Sequence, residues 1–226
     1  YIHGELEIND VPATINGYSY VYWEDGSVLD VNDQSQGFQP LFRVHGGWRY
    51  LEGSEAAMET GIVYFTGTAT PDAYIWTRSP DSYFHHIRME KAGCDVYHSS
   101  NSIESMVVEG NIYIDNGFTF KSNSSRTIDV GGYINTVTSS SHVKLGNGTL
   151  EFSGNPSTTF KPASGDYVNN LRINTGSYTF SLGNNYTTTL DVNGFVSIQS
   201  GYFDPNGFTI NVEGNWYNVP GPSRFI

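Results

Sequence analysis

Glycine recurs at intervals close to 21 residues along almost the whole chain, each time inside the same kind of phrase. Gly4, Gly26, Gly46, Gly67, Gly110, Gly132, Gly154, Gly176, Gly194 and Gly214 mark the period, and the step from Gly67 to Gly110 is double, with Met89 near the missing mark. A fixed period of this size is what a solenoid needs. Each repeat is one supersecondary unit that buries its apolar face only by stacking on its neighbours.

A second, shorter period lies inside the first. In IHGELEI (2–8), VEGNIYI (108–114), VNGFVSI (192–198) and VEGNWYN (212–218), apolar residues and glycine alternate with other residues. Alternation by two is the pattern of a half-buried strand. It puts Leu6, Ile8, Ile112, Ile114, Val130, Val196, Ile198, Val212, Trp48 and Trp216 inside, and turns Tyr113, Tyr133, Phe195 and Tyr217 outward. Glycine on an inward position fits a bend or a close approach between rungs. All nine prolines fall outside the strand phrases, as a residue with no N–H to donate should.

The phrases themselves return after about 84 residues, or four short periods. FHHIRM (84–89) comes back as VNNLRI (168–173), VEGNIYI as VNGFVSI, and TIDVGGYINT (127–136) as TINVEGNWYN (209–218). The expected fold is therefore all-β: a right-handed parallel β-helix (β-solenoid) with rungs of about 21 residues and a four-rung superrepeat of about 84. One domain spans 1–226, with room for irregular excursions at 11–43 and 68–106, where the spacing loosens. An antiparallel array of hairpins is the structural rival, because DNGF (115–118) and NGF (193–195) read as hairpin turns.

Composition narrows the partners. The chain has 11 basic against 23 acidic residues, a net charge of −12, which repels phosphate backbones and argues against nucleic-acid binding. No apolar run approaches the roughly 18 residues of a membrane span, so membrane insertion is not expected. Charged residues make up only 15%, well under the roughly 25% of ordinary soluble domains, and Ser, Thr and Asn carry the polarity instead. This balance suits an extracellular β-protein. The lone Cys94 reads as a small buried residue.

These phrases resemble the long repeat proteins that many bacteria secrete or display on their surfaces. The stretch LDVNGFVSIQSGYFDPNGFTINVEGNW (190–216), preceded by LEFSG (150–154) and VNNLRI (168–173), carries the likeness, which is strongest over 61–226. The resemblance implies a parallel β-helix and export, often by the type IX route, to the cell surface or beyond. It specifies a scaffold more than an activity. The functional expectation is an extracellular structural or adhesive repeat protein, assembling end to end into a fibre or forming part of a longer surface rod. The alternatives are a polysaccharide-processing enzyme and a carbohydrate-binding module.

An enzyme on such a coil needs carboxylates clustered on one face. Two local collections exist, Glu24, Asp25, Asp30 and Asp33, then Asp81, Arg88, Glu90, Lys91 and Asp95. Neither has diagnostic spacing, so no catalytic residue is assigned. Asp25, Asp30 and Asp33 are the candidates for calcium, the one cofactor admitted. His85 and His86 read as turn or stacking residues rather than metal ligands, since the internal copy carries Asn169 and Asn170 there. The outward aromatics Tyr113, Tyr133, Phe195 and Tyr217 are the candidates for meeting a glycan or another surface protein. The phrases at both ends lack polar caps, which predicts self-association through the solenoid ends.

Overall fold

A computed structural model describes residues 5–9, 14–17, 20–23, 28–32, 41–44, 46–58, 60–67, 72–91, 95–115, 117–154, 156–183, 186–218 and 225–226. Every named strand pair among them is parallel, which removes the hairpin alternative, and no described residue is helical.

The strands stack in three ladders, one per face of the coil. On the first face Leu41–Val44 pairs with Ile62–Gly67, followed by His86–Lys91, Ile112–Ile114, Ile134–Thr136 and Thr158–Lys161. It continues through 180–182 and 202–204. From Leu41 to Phe203 the coil makes about seven turns with a spacing of about 23 residues. The second face runs through Gly47–Tyr50, Ala73–Thr77, Asp95–His98, Thr119–Ser122, 142–145, 167–168, Thr189–Val192 and Thr209–Val212. The third begins with Glu5–Asn9, Val28–Asn32 and Glu55–Met58. It thins to a single bridge from Phe84 to Val108, then resumes through Thr127–Val130, 149–152, 170–173, 196–198 and Trp216–Asn218.

Alternation explains the core. Val63 and Phe65, Ile87 and Met89, and Ile112 and Ile114 point inward on successive rungs and are fully buried. Each such side chain contributes about 1.5–3 kcal/mol by leaving water. Phe152, Phe180 and Phe203 form an internal aromatic ladder, with centroids 4.5 and 5.4 Å apart. Val130, Val196, Ile198 and Trp48 are buried as their alternation requires. Val212 is only partly buried, and Trp216 is 41% exposed, against expectation. Both sit on the last described rung of their faces, where the ring of Trp216 packs beside Phe203 and Phe225 and has no rung above it among the described residues. The side chains of Leu6 and Ile8, and all of Cys94, lie outside the described residues.

A turn of about 23 residues rather than 21 changes what the 84-residue recurrence means. Four turns at this pitch need about 92 residues, so a phrase repeated after 84 falls one face short. Val108 ends a third-face strand and Ile112 starts a first-face one, whereas their counterparts Val192 and Val196 lie on the second and third faces. TIDVGGYINT and TINVEGNWYN are displaced the same way. The superrepeat thus carries one corner of the coil onto the next, rather than one rung onto an equivalent rung.

Candidate functional site at the first tight corner

The turn from the third face to the first is made by short phrases, among them FHHI (84–87), VEGNI (108–112) and VGGYI (130–134). The chain turns so closely here that rungs touch backbone to backbone. Gly110 N donates to His85 O, and Gly132 N donates to Gly110 O, each at 2.8 Å. A methyl group on Gly110 would overlap the His86 ring and lie 2.6 Å from His85 O, so only glycine fits that approach.

A polar ladder runs beside the glycines. Asn111 N donates to His86 Nδ1 at 2.8 Å, and Tyr133 N donates to Asn111 Oδ1 at 3.0 Å. Nδ1 can accept only if it carries no proton. Burial, reinforced by the adjacent His85, pushes the His86 pKa down to about 4. At neutral pH its one proton is therefore on Nε2.

On the outer side of the first face this corner borders a groove of about 370 Å³ lined by Ile62, His86, Arg88 and Tyr113. Strand register produces the lining, since Tyr64, Arg88 and Tyr113 are successive partners across three rungs. Asp115, only 6% exposed, takes both Nε and Nη2 of Arg88 on one carboxylate oxygen, each at 2.9 Å. That grip fixes the guanidinium plane over the Tyr64 ring, 5.5 Å from its centroid, and leaves Nη1 without a partner among the described residues. Tyr113 stands edge-on to His86 and to Tyr133, with centroids 6.5 and 5.4 Å away. Its hydroxyl is hydrogen-bonded to that of Tyr133, whose pKa rises to about 12 through burial and this bond, so it stays a neutral phenol.

The four aromatic candidates fall in two places. Tyr113 lines the groove with Tyr133 packed against it, while Phe195 and Tyr217 pair at 5.9 Å on the next corner. Asp25 and Asp33 lie outside the described residues, and Asp30 is described only as backbone in Val28–Asn32. The collection around Asp81 to Asp95 is dispersed: Asp95 pairs with Lys121 on the second face, while Arg88 pairs with Asp115 on the first. Among the described residues no group of three His, Cys, Asp or Glu is placed to hold a metal ion. Ile62, Tyr64 and Asp115 escaped notice in the sequence. A register of 24 or 25 residues aligns Tyr64 and Tyr113 with Arg88, and a rung of 21 does not.

Another groove, of about 360 Å³, opens on the second face among Tyr167, Asp191, Asn193, Asn211 and Glu213. Asn211 Nδ2 there donates to Asp191 Oδ1 at 2.8 Å, so part of its polarity is spent between rungs.

No protein-family model matches the chain, and neither does any curated protein or any solved structure. The class is set by the strand pairing alone: this is a parallel β-solenoid protein. What it does must be argued from its own side chains.

Proposed function

We propose that the chain is a noncatalytic structural or adhesive rod acting outside a bacterial cell or on its surface. The observation that carries this reading is where the charged and ionisable side chains go. Arg88 reaches Asp115, Lys121 reaches Asp95, Arg172 reaches Glu151, and His142 Nδ1 sits 2.9 Å from Asp166 Oδ1. Each pair joins consecutive turns, so these side chains fasten rung to rung. Surface pairs contribute only about 0–1 kcal/mol singly, but repeated up a coil they hold its register and stiffen it.

Self-association belongs to the same reading. Trp216 and Tyr217 are 41% and 46% exposed, and the strands Thr209–Val212 and Trp216–Asn218 have a partner on one side only among the described residues. Open strand edges accept further strands. Export and a surface location rest on the resemblance of the repeat phrases.

Electron microscopy of the purified chain across a concentration series, run beside product assays on a panel of polysaccharides, tests the proposal. Rods that lengthen with concentration, and no released sugar, are the expected result. Catalytic release of sugar products would replace this reading with the polysaccharide-processing alternative, and uniform monomers at high concentration would remove the assembly part.

A further inference from the structure

We infer that the groove lined by Ile62, His86, Arg88 and Tyr113 is a binding site for one neutral hexose unit of a glycan. This supplies a ligand for the adhesive reading above and rests on that reading for its setting. Its chemistry stands on the groove. At about 370 Å³ it falls within the roughly 300–1,000 Å³ of small-molecule sites. Its walls combine an aromatic ring, Tyr113, and an aliphatic side chain, Ile62, with two polar groups that converge from the His86–Lys91 strand.

Both polar groups present donors. His86 is held in the Nε2–H form because its Nδ1 accepts from Asn111, and Nε2 has no partner among the described residues. Arg88 is clamped through Nε and Nη2 by a buried carboxylate, which leaves Nη1 to donate. Two fixed donors beside an apolar ring suit the hydroxyl oxygens of a sugar whose C–H face lies on the aromatic. The rings and the clamped guanidinium are held by packing and by Asp115 before any ligand arrives, which lowers the ordering cost of binding.

Charge decides between a neutral and an acidic sugar. The Arg88 cation is already matched by Asp115, and His86 is uncharged at neutral pH. A uronate or sialate would thus gain no net local attraction while approaching a chain of net charge −12. The site favours an uncharged ring.

The test is a glycan array carrying neutral hexose oligosaccharides beside uronate- and sialate-terminated ones, followed by titration calorimetry on the best neutral binder. The intact chain is compared with Tyr113→Ala, Arg88→Met and Tyr113→Phe. At least one neutral glycan should bind, weakening about tenfold in each of Tyr113→Ala and Arg88→Met and by less than threefold in Tyr113→Phe, which keeps the ring. A cooperative thermal transition shows that each variant folds, and if Tyr113→Ala does not, Arg88→Met decides alone. Binding confined to acidic glycans, no binding at millimolar sugar, or binding unaffected by Arg88→Met would overturn the assignment. Rods seen without glycan binding would sink the groove and leave the structural reading standing. Turnover of a bound neutral glycan would do the reverse.

Discussion

The two tight corners of the coil are built to one plan with different parts. At the first, Gly110 closes over His85 and His86 of the rung below, and His86 Nδ1 accepts Asn111 N–H. At the second, Gly194 closes over Asn169 and Asn170 of the rung below, and Asn170 Oδ1 accepts Phe195 N–H at 3.1 Å. Gly194 N donates to Asn169 O at 2.6 Å, as Gly110 N does to His85 O. An imidazole nitrogen and an amide oxygen thus fill one structural role, that of a side-chain acceptor reaching up to the next rung. What the internal repeat conserves is a corner, a pair of acceptor-bearing residues below a glycine, and either edge of the coil can host it. The arginines that follow diverge: Arg88 reaches up to Asp115 in the following turn, and Arg172 reaches down to Glu151 in the preceding one. The first corner, with Arg88 held from above and Tyr113 beside it, borders the groove of Ile62 and His86.

The largest effect should come from breaking the glycine stack. A methyl on Gly154 would overlap the Gly131 carbonyl oxygen, a backbone atom clamped between rungs. A methyl on Gly214 would press on the Gly194 carbonyl, but the strands flanking Gly214 pair on one side only among the described residues and can yield. Gly154→Ala should lower stability by about 3–5 kcal/mol, and Gly214→Ala by less than half as much. Denaturant midpoints measure both. Equal losses would mean that the last corner is as tightly confined as the first.

Next in size is acid sensitivity, which separates an imidazole acceptor from an amide one. His86 has a folded pKa of about 4 against an ordinary value near 6.5, so the unfolded chain takes up the proton first. The stability tied to the neutral ring is complete above pH 6.5 and drains away as pH falls toward 4. His98, fully buried against Thr77 Oγ1, has the same displacement to about 4 and adds a loss on the order of 3 kcal/mol over that window. His86→Asn should give the first corner the chemistry of the second. In hydrogen exchange at about pH 3.5, below the folded pKa, Asn111 N–H should lose protection relative to Phe195 N–H in the unaltered chain and keep it in His86→Asn. Equal protection of the two amides in the unaltered chain would refute the tautomer assignment.

The solenoid was legible because burial imposes alternation on every strand and stacking imposes a period on the chain. Ile112, Ile114, Val196 and Ile198 could be placed inside from their phrases alone. The pitch was not legible. Glycines mark corners, and with two corners carrying them the apparent period of 21 mixes positions on different edges, while the strands step by about 23. That error hid the groove, because Tyr64, Arg88 and Tyr113 align only at the true register. Asp115 looked like part of a DNGF turn, and nothing in its neighbours revealed that it would be buried under an arginine 27 residues earlier. The exposure of Trp216 was hidden for another reason: alternation says which side of a strand a residue takes, not whether another rung lies above it.

The smallest effect concerns the two arginine pairs. Glu151 takes Arg172 Nη1 at 2.9 Å and Asn174 Nδ2 at 3.2 Å on separate oxygens. A glutamine there keeps an oxygen for one donor, so Glu151→Gln should cost no more than about 0.5 kcal/mol, the scale of a partly solvated pair. Asp115 is more deeply buried and receives two donors from Arg88 on one oxygen, so Asp115→Asn should cost about 1 kcal/mol. The pairs should also differ in salt: Arg88 is the more exposed cation, 48% against 29% for Arg172, but its two hydrogen bonds to one near-buried oxygen are not screened as a Coulomb attraction is. Thermal midpoints in 0.1 M and 1 M sodium chloride would then show the Glu151→Gln penalty vanishing and the Asp115→Asn penalty persisting. If both penalties vanish together, Asp115 is an ordinary surface partner, and the fixed presentation of Arg88 that distinguishes the first corner from the second is lost with it.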